Sequence, residues 1–202
     1  MMIFKRVESY YHNMLAGIEV EALRIIVMGT AGTGKSYLIK AIRNMLYEMG
    51  GVESKRTVLV ITLTGVTAFN IRGMTIHSAL LIPISTNDNL DIEGERLKKL
   101  QDKLENVKYI IIDEKSMVRR KMLGLIDMRL RQAFSEYNNK PFGRRSIIMF
   151  RDFGQLSLVL DLPIYASSHG GLLSNDRYAI YQQFWKAYRL DVIERQSGNS
   201  EE

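Results

Sequence analysis

Gly29-Thr30-Ala31-Gly32-Thr33-Gly34-Lys35-Ser36 fits the phosphate-binding loop pattern G-x-x-x-x-G-K-S/T at every specified position, and no other stretch limits the fold as tightly. Such a loop needs a buried strand leading in and a helix leading out, because the helix N-terminus offers free N–H groups and a positive dipole end to an anion. The flanks agree. Leu23 to Met28 reads as a buried strand, and Tyr37 to Met49 as a helix with Leu38, Ile42, Met45, Leu46 and Met49 at helical spacing, stopped by Gly50-Gly51. Each loop residue then has a task. Gly29, Thr30, Ala31, Gly32, Thr33 and Gly34 curl the backbone so that its N–H groups face phosphates, Lys35 sets a point charge against the β and γ groups, and the Ser36 hydroxyl ligates Mg²⁺.

A second constellation stands at Asp113-Glu114, which ends the apolar run Tyr109 to Ile112. A hydrophobic strand that delivers acids to its C-terminal end suits triphosphate chemistry: Asp113 is expected to hold Mg²⁺, and Glu114 to orient or deprotonate the attacking water. Strand-like and helical patterns alternate around these two sites. Thr57 to Leu63 reads as a strand, a short helix passes through Ala68 and Ile71, and residues 85–92 read as a polar connector. Glu93 to Val107 reads as an amphipathic helix with Leu97, Leu100 and Leu104 inward, Met117 to Phe134 as a long helix and Arg145 to Phe150 as a strand. A helix over Asp176 to Tyr188 and a strand over Leu190 to Ile193 complete the expected pattern. The alternation predicts an α/β fold: a mostly parallel sheet with helices on both faces.

With 202 residues, 46% hydrophobic and 25% charged, the chain can bury one substantial core. One domain is expected over 23–196, with a helical or ragged extension over 1–22 and a disordered tail over 197–202. The sequence has no cysteine, which excludes a disulfide framework and a thiolate zinc site. Its three histidines, His12, His77 and His169, are scattered, so no metal beyond nucleotide-bound Mg²⁺ is expected. No apolar run approaches the ~18 residues of a membrane span and the first residues lack a secretory core, so an intracellular protein without a membrane partner is expected. A net charge of +6 suits a polyanionic partner and equally serves solubility.

Five segments together resemble a known family. They are the phosphate loop; Thr64-Gly65-Val66-Thr67-Ala68-Phe69-Asn70-Ile71-Arg72-Gly73 with Thr75-Ile76-His77-Ser78; Ile110 to Met117; Asp152-Phe153-Gly154-Gln155-Leu156; and Glu194-Arg195-Gln196. Their order is similar to that in PIF-type helicases, ATP-dependent 5′-to-3′ DNA helicases of superfamily one, over about residues 23–196. The resemblance implies a RecA-like P-loop motor domain, ATP with Mg²⁺ as cofactors and single-stranded DNA as partner. It implies that Gln155 senses the γ-phosphate and that Arg195 touches it. Thr64, Gly65, Phe69, Asn70, Thr75 and His77 fall where the family contacts DNA. The chemistry is compatible: Gly and Thr admit phosphates closely, and rings can meet bases. Phe69 and Ile71 are nevertheless expected to pack the short helix into the core. Tyr178, Tyr181, Phe184, Trp185 and Tyr188 are read as a helix's core face. Residence in the nucleus or mitochondrion, and duties in repair, recombination or telomere maintenance, are further implications of the family.

The sequence departs from the family at several places. No glutamine precedes Gln101, so the upstream adenine-reading motif is missing. Lys115 stands where a small apolar residue is usual, Arg151 where glycine is, and Ser157-Leu158 where two prolines are. Lys115 and Arg151 put positive charge beside the proposed water and γ-phosphate, which would lower the basicity of Glu114 or compete for Asp113. The resemblance covers the first of the family's two RecA-like domains, so a second motor domain is an expected partner. Two readings follow: a helicase motor domain, or a truncated or degenerate copy that binds nucleotide or DNA without turnover.

Overall fold

Strands that are buried on both faces read as continuous apolar runs, and the runs at 25–27, 110–112 and 147–150 form the middle of one parallel sheet. The computed structural model describes residues 2–50, 56–83, 92–114, 120–152, 180, 182–184 and 186–190. Its strands are β1 (Arg24–Gly29), β2 (Val58–Thr62), β3 (Met74–Thr75), β4 (Tyr109–Glu114), β5 (Ser146–Arg151) and β6 (Lys186–Leu190), in the spatial order β3-β2-β4-β5-β1-β6. Every pairing is parallel. Its helices are α1 (Met2–Leu15), α2 (Lys35–Gly50), α3 (Gly65–Asn70), α4 (Ile76–Leu80), α5 (Gly94–Leu104) and α6 (Arg120–Ala133).

The side-chain period of two divides the core into two layers. Along β4, Ile110 and Ile112 join Ile147, Met149 and the inward faces of α4, α5 and α6. Tyr109 and Ile111 point the other way, with Ile25, Val27, Ile148 and Phe150, onto α1 and α2. Helix α1 belongs to this second layer. Its Ile3, Val7 and Tyr11 recur every fourth residue and are buried, and the rings of Tyr10 and Tyr11 lie 6.1 and 6.2 Å from that of Tyr109. The extension before β1 is thus an amphipathic helix that covers the start of β4.

Two expectations fail. The helix drawn to Tyr188 gives way to β6, which starts at Lys186 and pairs with β1 from Ile25↔Lys186 to Gly29↔Leu190. Lys186, Tyr188 and Leu190 are half-buried while Ala187 and Arg189 are exposed. This is the alternation of an edge strand, which the aromatic spacing across 178–188 obscured. Tyr188 therefore lies on a strand, while Phe184 packs edge-on against Phe142 with centroids 5.9 Å apart. Phe69 is also not in the core, being 85% exposed. Ala68 and Ile71, three residues apart, take the inward face of α3, and Phe69 is turned about 100° away from Ala68. Tyr178, Tyr181, Trp185 and Ile193, with most of the 85–92 connector, lie outside the described residues. No helix among the described residues is long and apolar enough to cross a membrane.

Candidate active site

The C-terminal edge of a parallel sheet is where such folds collect ligands, and the candidate residues gather there. The phosphate loop leaves β1 at Gly29 and enters α2 at Lys35. Gly32 and Gly34 have φ of 85° and 80°, a left-handed backbone that side chains disfavour, so the curl of the loop requires these two glycines. A Cβ on Gly29 would run into Thr33 Oγ1. Thr33 is buried, and its hydroxyl donates to the carbonyl O of Thr30 at 2.8 Å, which closes the loop on itself. Ser36 is exposed in the first turn of α2, next to Lys35.

Lys35 folds back over this loop. Its Nζ donates to the carbonyl oxygens of Gly29 and Thr30, both at 2.7 Å, and lies 3.4 Å from Asp152 Oδ2. Asp152 is buried just beyond the end of β5. Because β5 separates β1 from β4, Asp152 stands between the phosphate loop and the acidic end of β4. The ion pair was not anticipated: Asp152 appears in the sequence only within a family-like block, and its reach to Lys35 depends on the strand order.

Asp113 closes the buried part of β4, in register with Thr62 of β2 and Phe150 of β5. It shares the parity of Tyr109 and Ile111, so alternation places it on the α2 side of the sheet, with Lys35 and Ser36. Glu114 follows, paired in register with Arg151 at the end of β5. The side chain of Glu114 lies outside the described residues, as do Lys115, Gln155 and Arg195. The donors present fit a magnesium-bound triphosphate: a hydroxyl and a carboxylate on one side of the sheet, beside a glycine-shaped cradle carrying a lysine.

The second candidate surface follows β2, whose last residue, Thr62, is in register with Asp113. Thr64 caps α3, its Oγ1 accepting from Thr67 N–H at 3.3 Å, and Thr75 caps α4 in the same way from Ser78 N–H at 3.2 Å. Thr64, Gly65, Phe69 and Asn70 are exposed, whereas Thr75 and His77 are half-buried. Val66, 77% exposed, lies one turn before Phe69 and gives α3 a bare apolar side. Gly73 is required by close approach, since a Cβ there would sit 2.7 Å from the Val60 carbonyl O. Arg43, buried on α2, braces the end of α3: its Nη1 donates to the carbonyl oxygens of Ile71 at 2.8 Å and Arg72 at 3.2 Å. An arginine among the inward residues of a helix is the available sequence signal for that brace.

Known proteins align with this arrangement. The profile of the PIF1-like helicase family matches residues 5–183. The chain is 30% identical over 188 residues to an ATP-dependent DNA helicase Pif1 of a Psychrobacter species, covering 88% of this chain and 26% of that protein. It is 35% identical over 134 residues to ATP-dependent DNA helicase PIF1 of Saccharomyces cerevisiae, covering 65% of this chain and 15% of that protein. Among solved structures, Pif1 helicase from Bacteroides in complex with ADP-AlF3 and single-stranded DNA superposes with a TM-score of 0.64 at 26% identity, over 93% of this chain and 42% of that one. The chain therefore spans between 15% and 42% of the length of these relatives.

Proposed function

We propose that this chain, which belongs to the PIF1-like helicase family, is the ATP-hydrolysing motor domain of a DNA helicase and couples hydrolysis to movement on single-stranded DNA when joined to a second RecA-like domain. The observation that carries the reading is the shared edge. The phosphate loop after β1, Asp152 after β5, Asp113 at the end of β4 and the exposed α3 after β2 stand side by side along one end of the sheet.

The backbone N–H groups around Gly32 and Gly34 grip the triphosphate, and Lys35 exchanges its loop carbonyls for the β and γ oxygens. Ser36 and Asp113 would hold Mg²⁺, which when bound offsets the charge gathering on the phosphate oxygens. Glu114 orients and deprotonates the water, Gln155 senses the γ-phosphate, and Arg195 neutralises charge in the transition state. Thr64, Gly65, Asn70, Thr75 and His77 contact the strand's phosphates and sugars, and Phe69 offers its ring to a base. The relatives' names and the Bacteroides complex support ATP and single-stranded DNA as ligands. In this reading the protein works in a DNA-containing compartment, the nucleus or the mitochondrion.

The test is ATP hydrolysis by the 202-residue chain with and without single-stranded DNA, beside Lys35→Ala and Glu114→Gln, with nucleotide binding followed in parallel. Slow turnover that DNA stimulates and both substitutions abolish is expected. Nucleotide binding that depends on Lys35 with no turnover under any condition would overturn hydrolysis by this chain alone, in favour of a binding remnant or an incomplete motor.

A further inference from the structure

Helix α5 carries two stripes. Leu97, Leu100 and Leu104 face the core. Arg96, Lys99 and Lys103, spaced i, i+3 and i+7, are exposed and fall within about 60° of one another on the adjoining flank. The stripe meets the proposed DNA surface at one end, where Lys103 Nζ donates to the carbonyl O of Ser78 in α4 at 2.9 Å. Ser78 is the residue whose N–H is held by Thr75, so Lys103 touches the same turn that presents Thr75 and His77.

Among the described residues, no ion pair reaches Arg96, Lys99 or Lys103. Partial burial, and after it the charge of Lys99, hold the Lys103 ammonium below the usual lysine range. Cations aligned in this way repel one another, and a polyanion lying along them relieves the repulsion. From Arg96 to Lys103 the helix rises about 10 Å, which matches roughly three phosphates at the ~3.4 Å spacing of a stacked strand.

We propose that Arg96, Lys99 and Lys103 form a phosphate track that carries the backbone of single-stranded DNA onward from α4 along α5. The proposal rests on the reading of α3 and α4 as the strand-contacting surface. The track meets phosphate alone, so it adds affinity without sequence preference.

Fluorescence anisotropy of labelled oligo(dT) across a salt series tests it, on the 202-residue chain and on Lys99→Gln/Lys103→Gln, Arg96→Gln, Lys103→Arg and Lys140→Gln. Lys140 is an exposed lysine in the turn that precedes β5, at the opposite edge of the sheet. The double variant should weaken binding on the order of tenfold and lower the salt slope by about 1.4, roughly 0.7 for each phosphate that is no longer neutralised. Arg96→Gln, which leaves the bond to Ser78 in place, should lower the slope by about half as much. Lys140→Gln should bind as the parent does, and Lys103→Arg, which keeps the charge, should retain the salt slope that the double variant loses. Parental affinity and slope in both the double variant and Arg96→Gln would overturn the track while leaving the α3–α4 surface standing. An equal loss in Lys140→Gln would overturn it as a general charge effect. A parent chain that does not bind oligo(dT) would overturn the track and the DNA reading together.

Discussion

Lys35 and Asp152 hold each other at 3.4 Å beside a loop built to receive phosphate, so the lysine must give up part of a carboxylate's attraction when it turns to a triphosphate. Removing that carboxylate's charge should therefore favour nucleotide. Asp152→Asn is expected to tighten nucleotide binding by on the order of 1 kcal/mol, about fivefold in Kd, in a fluorescent-nucleotide titration. Unchanged or weaker binding would mean that Asp152 positions the lysine rather than competing for it. The loop itself is legible from sequence because each of its positions answers a separate demand: left-handed backbone at Gly32 and Gly34, charge at Lys35, a hydroxyl at Ser36. Asp152 is not, since a lone acid in a loop-like stretch gains meaning only once β5 is known to run between β1 and β4.

At the scale of elements, α3 shows how a short helix divides its residues between stability and ligand. Phe69 is 85% exposed, so Phe69→Ala should change thermal stability by no more than about 0.5 kcal/mol, while removing a ring that stacks on a base should weaken single-stranded DNA binding by roughly 1–3 kcal/mol. Melting and anisotropy on the same variant separate the two. A marked fall in stability with DNA affinity intact would restore Phe69 to a packing role. Helix length explains why apolar residue type misplaced this side chain: six residues do not repeat often enough for periodicity to separate inside from outside.

Helix α6 poses a pH question. Asp127 is buried on it, its Oδ1 accepts from Phe142 N–H at 2.6 Å, and Arg131 Nε lies 2.7 Å from its Oδ2. It thereby ties α6 to the Pro141–Arg144 turn that feeds β5, in which Phe142 has a left-handed φ of 54°. Burial nonetheless outweighs these partners and raises the Asp127 carboxyl above its ordinary value. A carboxyl raised in the folded state binds its proton more firmly there than in the unfolded chain. Its contribution to stability is therefore full below the ordinary carboxylate value and is lost as pH rises through the higher folded value. Asp127→Asn keeps an acceptor for Phe142 and cannot ionise, so its melting temperature relative to the parent should climb as pH rises from about 4 through the weakly acidic range. A difference that is flat or falls with pH would show that the Arg131 pair prevails over burial.

At the scale of the whole molecule, the alternation of apolar runs makes a parallel α/β sheet legible, but not the strand order. Order depends on which helices cover which face, and the division between the α1–α2 layer and the α4–α6 layer emerges only from packing. β6 is the clearest case, because an edge strand of Lys186, Tyr188 and Leu190 carries too little apolar signal to outweigh the aromatic spacing before it. That same order sets what the chain can do by itself. Nucleotide and DNA candidates share one edge of one sheet, with Thr62 in register with Asp113, so both ligands can be held by a single rigid body. Unwinding is a different demand. It requires two bodies whose separation changes with the nucleotide, so that a strand gripped by one is passed to the other. The 202-residue chain should thus saturate with fluorescent nucleotide and with labelled oligo(dT), yet displace no strand from a forked duplex in the presence of ATP and Mg²⁺. ATP-dependent displacement that Lys35→Ala abolishes would refute this, and would mean that pairs of these chains, or motion within the one sheet, supply the second body.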